Sequence, residues 1–237
     1  MAGTLYLIPS ALGDVLWNHY LPATTREIAC GIEYFVVENA KTARAELKRL
    51  GHPRPLRELS IEQLPEPLLP ADVQRLLLPL EQGWDVGVLS EAGCPAVADP
   101  GALLVRYAHG KDIKVRPLSG ASSLLLALMA SGLDGQRFAF HGYLPQREPE
   151  RSRRIHELDE ESQRHRQTQL FIETPYRNRA LFEALVANCK PTTLLCVASD
   201  LTLASESVAT HPVKMWRSLP PPDLERRPTV FLLLNAG

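Results

Sequence analysis

A chain of 237 residues, 45% hydrophobic and 22% charged, can build one large or two small globular domains with a full core. Its net charge of −1 argues against indiscriminate nucleic-acid binding, while leaving room for a local basic patch. No apolar run reaches the roughly 18–20 residues that cross a bilayer. The start, MAGTLYLIPS, has neither the charged opening nor the long apolar stretch of a signal peptide. Cys30, Cys94, Cys189 and Cys196 show no CxxC spacing, so neither a zinc site nor a disulfide framework is expected. The expectation is a cytoplasmic protein with no membrane segment and no metal.

Thr4–Ile8 reads as a short strand running into the small-residue turn Pro9-Ser10-Ala11-Leu12-Gly13-Asp14, which is not a GxGxxG dinucleotide fingerprint. Thr24 or Thr25 is placed to cap a short helix ending at Cys30. Glu33–Val37 reads as a second strand. Asn39 is an N-cap for a helix over Ala40–Leu50, with Gly51 as its stop. His52–Pro70 carries five prolines and no period, so it reads as an irregular surface segment, either a linker or a substrate-touching loop. Ala71–Gln82 is helical, with a kink or early end at Pro79.

Val86–Leu89 and Ile113–Val115 look like buried parallel strands, each ending in small residues: Ser90-Glu91-Ala92-Gly93-Cys94-Pro95 and Leu118-Ser119-Gly120-Ala121-Ser122-Ser123. Small residues at the carboxyl ends of parallel strands let a ligand approach the backbone, so the two turns together predict a cleft. Between them, Asp99-Pro100 reads as an N-cap and first residue of a helix running to about His109. Leu124–Met129 is a buried helix. Strands alternate with helices up to this point, which predicts a parallel sheet.

From Arg137 strands become more frequent. Strands are expected in RFAFHGYLP, Gln169–Ile172, Thr193–Ala198, Glu206–Thr210 and Arg227–Leu234. Helices are expected over Glu148–Arg166, from Thr174-Pro175 to Asn188, and over Val213–Leu219. The fold class expected is α/β in two domains. Residues 1–117 should carry a mainly parallel sheet, and residues 118–237 a mixed one.

The motifs, in order, resemble those of the tetrapyrrole-methylase superfamily of S-adenosylmethionine-dependent methyltransferases. They are most similar to its branch that 2′-O-methylates a ribose in small-subunit ribosomal RNA. GTLYLIPSALGD is similar to GTLYIVPTPIGN, and VENAK to AEDTR. SEAGCPAVADPG is similar to SDAGTPxxxDPG, and PLSGASS to PxPGxSA. FHGYLPQR is similar to FxGFLPxK, and IETPYR to YESPHR. The resemblance implies two α/β domains holding S-adenosylmethionine between them, in a homodimer. It carries the cofactor contacts to Ser10, to Gly93, Cys94 and Val97, to Ser122 and Ser123, to Ile172 and Glu173, and to Thr229 on the closing strand.

The substrate motifs depart from the branch. Glu-Asp-Thr-Arg is here Glu38-Asn39-Ala40-Lys41, and Arg-Glu-Leu-Thr-Lys is Ser199-Asp200-Leu201-Thr202-Leu203, without either basic residue.

Methyl transfer from a sulfonium needs alignment of the acceptor, and a hydroxyl acceptor benefits from a general base. Glu38, at a strand end, is the candidate base, against a reading as a surface acid. Lys41 is the candidate for holding a phosphate or oxyanion, against a solvated helix lysine. Cys94 reads as a pocket wall rather than a nucleophile, and Asp99 as a helix cap rather than a ligand. Arg147, Arg151, Arg153 and Arg154 are candidate RNA contacts, or else belong to a salt-bridged surface helix with the interleaved acids. Three functions compete: ribose methylation of ribosomal RNA, methylation of a small-molecule acceptor on the same fold, and a catalytically silent cofactor-binding module.

Overall fold

A computed structural model describes residues 2–237 and divides them into two compact units, meeting at Ser122 and Ser123, slightly later than the boundary expected after Pro117. The first unit holds a five-stranded sheet of β1 (Thr4–Ile8), β2 (Tyr34–Val37), β3 (Ser60–Gln63), β4 (Val86–Leu89) and β5 (Lys114–Pro117), in the order β3-β2-β4-β1-β5. Every neighbouring pair is parallel.

Side chains alternate between its faces as the pleat requires. Ile8, Phe35, Val37 and Leu89 pack with Ala29 of α1 (Ala23–Cys30) and Ala43, Leu47 and Leu50 of α2 (Ala40–Leu50). Leu5, Val36, Val86 and Val88 pack on the other face, with Val73, Leu76, Leu77 and Leu80 of α3 (Pro70–Glu81) and Leu104 and Ala108 of α4 (Ala102–Gly110). Helices therefore cover both faces, which is why these strands read as continuous apolar runs. Gly87 is a packing requirement: a Cβ there would lie 2.7 Å from Ile8 Cδ1 and 3.0 Å from the Phe35 ring.

Three local expectations are corrected. Within the proline-rich segment lies β3, laddered onto β2 from Tyr34↔Ser60 to Val37↔Gln63. Its prolines flank the strand and do not interrupt it, so pairing satisfies backbone groups that local propensity left unassigned. Neither Thr24 nor Thr25 caps α1, which starts after Pro22; Thr25 is buried, and its hydroxyl donates to the Ser119 carbonyl at 2.9 Å. Asp99 does not cap α4, whose N-cap is Gly101 at φ 134°. Asn39 and Gly51 do terminate α2, with Asn39 Oδ1 accepting from Lys41 N at 2.9 Å and Gly51 left-handed at φ 69°. Pro79 falls in the last turn of α3.

The second unit opens with α5 (Ser123–Ser131) and holds a mixed sheet in the order β6-β7-β10-β8-β9, from β6 (Phe138–Tyr143), β7 (Thr168–Ile172), β8 (Leu194–Ser199), β9 (Ser207–Pro212) and β10 (Thr229–Leu234). Only β6 and β7 are parallel. One core joins Phe171, Leu195, Val197, Phe231 and Leu233 to Ile155 and Leu158 of α6 (Glu150–His165). Leu181, Phe182 and Leu185 of α7 (Asn178–Asn188) and Trp216 of α8 (Val213–Trp216) belong to the same core. The almost wholly apolar α5 lies along β8, β9 and β10. Among the described residues, no helix is long and apolar enough to cross a membrane.

Candidate functional site

In the first unit, β1 lies between β4 and β5, so the carboxyl ends of three parallel strands emerge side by side. The turns after them are bound together. Ser10 N donates to Gly93 O at 2.8 Å, and Gly93 N to Ser10 O at 3.1 Å. The buried Ser10 hydroxyl donates to Ser90 O at 2.9 Å. Ala121 N donates to Tyr20 O at 3.1 Å, and Cys94 Sγ to Ala121 O at 3.5 Å. A Cβ on Gly120 would lie 2.4 Å from Pro9 Cβ, so the third turn presses against the first only because residue 120 is glycine. Ser10, Gly93, Cys94, Gly120 and Ala121 thus come together at this edge of the sheet.

Gly93 is left-handed at φ 72°, and a Cβ there would meet only Leu12 Cδ2, at 3.6 Å, leaving the other sides open. Ala96 and Ala98, at φ 66° and 65°, are also left-handed. Non-glycine residues in this region cost of order 1–3 kcal/mol each and tend to gather at binding sites. Val97, between them, is 48% exposed.

Glu38 follows β2. Its N–H donates to Leu89 O at 3.1 Å, and its carboxylate Oε2 accepts from Glu91 N at 2.9 Å. That bond uses one carboxylate oxygen and leaves the other as an acceptor. Lys41 is exposed in the first turn of α2. Asp99 is half-buried, and its carboxyl is pushed up to about 6, first by burial, then by the negative Glu38 and Glu91, against an opposing Ser90 hydrogen bond. The sequence reads this acid as a helix cap because Asp-Pro is a common helix start. Burial also raises the Cys94 thiol, with Asp99 adding to the effect. A thiol held protonated is a poor nucleophile, which suits a wall residue.

In the second unit, β10 runs antiparallel to β7 and β8, so its start lies beside their ends: Val230 pairs with Ile172 and Thr229 with Ser199. Ser199 and Thr229 hydroxyls are 2.9 Å apart and buried. Glu173 follows Ile172; its nearly buried carboxylate accepts from Thr174 N at 2.7 Å and pairs with Arg177 at 2.6 Å. Three expected contacts, Ile172, Glu173 and Thr229, thus share one edge. Ser122 and Ser123, both partly buried, stand at the junction of the two units, Ser123 as the first residue of α5. Of the segment that lacks the branch's basic residues, Asp200 pairs with Arg227 at 2.8 Å.

The four arginines divide. Arg151 pairs with Glu148 at 2.7 Å, and Arg154 with Glu161 at 2.8 Å and Glu157 at 3.1 Å. Arg154 also lies 3.3 Å from His141 Nδ1. Arg147 and Arg153 are exposed, and neither is in an ion pair among the described residues.

Residues 35–215 match the family model described as Tetrapyrrole (Corrin/Porphyrin) Methylases. A protein of Xylella fastidiosa named ribosomal RNA small subunit methyltransferase I is 28% identical over 99% of this chain and 82% of its own length. One of the same name from Haemophilus influenzae is 25% identical over 100% of this chain and 80% of its own. Among solved structures, the methyltransferase CobJ superposes with a TM-score of 0.64 at 18% identity, covering 100% of this chain and 95% of that one. Uroporphyrin-III-C-methyltransferase from Thermus thermophilus does so with a TM-score of 0.56 at 18% identity, covering 100% and 94%. Those two likenesses concern the fold.

Proposed function

Because the chain belongs to the tetrapyrrole (corrin/porphyrin) methylase family and is a methyltransferase, we propose that it moves the methyl group of S-adenosylmethionine onto a ribose 2′-hydroxyl of small-subunit ribosomal RNA, as a cytoplasmic homodimer. The observation that carries the reading is the end-to-end similarity to relatives named for that substrate. The departures at Asn39, Ala40 and Lys41, and the loss of both basic residues at Ser199 and Leu203, favour a second reading, the same chemistry on a small-molecule acceptor.

The residues present fit the cofactor. Open space beside left-handed Gly93, at the carboxyl edge of a parallel sheet, admits a ligand close to the backbone. Ser10, Gly93, Cys94 and Val97 would hold it in the first unit. When bound, the sulfonium supplies an electrophilic methyl group for in-line displacement. Glu38 is the group to accept the hydroxyl proton, because its backbone is fixed by Leu89 and one carboxylate oxygen remains unbonded. Asp99, pushed up to about 6 by burial and by Glu38, is mostly ionised at neutral pH and adds a second negative charge near Glu38. Lys41 is placed to neutralise a phosphate.

The test is transfer of labelled methyl from S-adenosylmethionine into small ribosomal subunits isolated from cells lacking the protein. Label should enter the ribosomal RNA at a ribose and vanish with Glu38→Gln. Label appearing only in metabolite fractions overturns the RNA acceptor in favour of the small molecule.

A further inference from the structure

The second unit has a cavity of about 350 Å³ between the residues leading into α7 and the loop leading into β10. That volume is within the range of small-ligand sites. Pro175 and Pro222 form rigid apolar walls, and the Tyr176 ring stands beside them, 82% exposed. The rim carries Glu225 and Arg226, both exposed and in no ion pair among the described residues. Arg179, also at the rim, is tied to Glu183 at 3.0 Å.

The walls are fixed in advance. Leu224 is buried in the core beneath the loop. Arg227 donates from Nε to Asp200 at 2.8 Å and from Nη1 to Asp223 O at 3.2 Å. Asn178 Nδ2 donates to Arg227 O at 2.7 Å, which ties the loop to the start of α7. A preformed pocket does not have to order its loop when a ligand enters.

We propose that this cavity takes one unstacked base of the RNA substrate, a reading that rests on the RNA acceptor proposed above. A single exposed ring between prolines is a stacking platform for a base; grooves for proline-rich peptides are lined by several aromatics, and here there is one. An uncommitted carboxylate accepts from an amino group on a base edge, so adenine, guanine or cytosine is preferred over uracil, which has no amino group. An uncommitted guanidinium at the same rim meets the adjoining phosphate.

Fluorescent UUGUU, UUCUU and UUUUU ribo-oligonucleotides titrated into the full chain test this. UUGUU and UUCUU should bind more tightly than UUUUU. Tyr176→Ala should weaken all three by about tenfold, as the loss of one stacked base does, and Tyr176→Phe should not. Glu225→Ala should erase the preference, and Arg226→Gln should flatten the salt dependence. Equal binding by Tyr176→Ala and the parent overturns the proposal, as does Tyr176-dependent binding of a decaproline peptide with none of the oligonucleotides. Binding needs no methyl donor, so the two readings fail separately. Tyr176-dependent binding with label absent from ribosomal RNA removes only the proposed acceptor. Undiminished labelling and oligonucleotide binding by Tyr176→Ala remove only the base pocket.

Discussion

Asp99→Asn should make the protein more stable at neutral pH and leave it unchanged in acid. The Asp99 carboxyl is pushed from an ordinary 3.8 to about 6 in the folded chain by burial and by Glu38 and Glu91. A group raised on folding contributes its stability below the unfolded value and loses it as pH rises through the folded one. Below pH 3.8 both states are protonated and Asp99 carries no penalty. From there to about 6 the unfolded chain ionises first, and stability falls. Above about 6 the penalty is constant. At 1.36 kcal/mol per pH unit the gap corresponds to roughly 3 kcal/mol, and partial exposure reduces it to about 1–2 kcal/mol. An uncharged amide of the same shape escapes it. Urea unfolding of parent and variant at pH 3.5 and pH 7.5 measures the difference directly through the midpoint, provided the slope is unchanged. A variant advantage of the same size at both pH values would refute the reasoning, because only an ionisation difference makes it pH-dependent.

Gly93→Val should abolish the thermal shift produced by S-adenosylmethionine while circular dichroism stays native, since a branched side chain at φ 72° is strained and fills the open space; an unchanged shift would place the ligand elsewhere. Gly87→Ala should cost about 1–3 kcal/mol in urea unfolding, because its Cβ would press on buried Ile8 and Phe35; a stability equal to the parent's would show that the strands yield. Arg147→Ala with Arg153→Ala should weaken RNA binding and reduce its salt slope, leaving stability unaltered. Arg154→Ala should instead lower stability, because it strips the partner from Glu157 and Glu161; a reversed pattern would put the RNA contacts on the paired arginines.

Much of the architecture was legible in the chain. Val86–Leu89 and Thr4–Ile8 are buried on both faces, so their apolar content is continuous and unmistakable. Asn39 and Gly51 announce the ends of α2 because capping is a local interaction, satisfied within a few residues. The order of small-residue turns was equally local, and it pointed to the strand ends that gather Ser10, Gly93 and Cys94.

What tertiary structure alone decided were the long-range pairings. Ser60–Gln63 has no strand signature of its own and becomes β3 because the edge of β2 offers a ladder. Asp99 reads as a cap until Ala96 and Ala98 turn left-handed and carry the helix start on to Gly101, leaving the acid beside Glu38. Arg151 and Arg153 are alike in sequence, yet Arg151 is committed to Glu148 and Arg153 is not. Local propensity acts over one or two turns of chain and can be read from the residues there. Strand pairing, burial of a carboxyl and the commitment of a charge depend on groups distant in sequence, and only the folded chain brings those groups together.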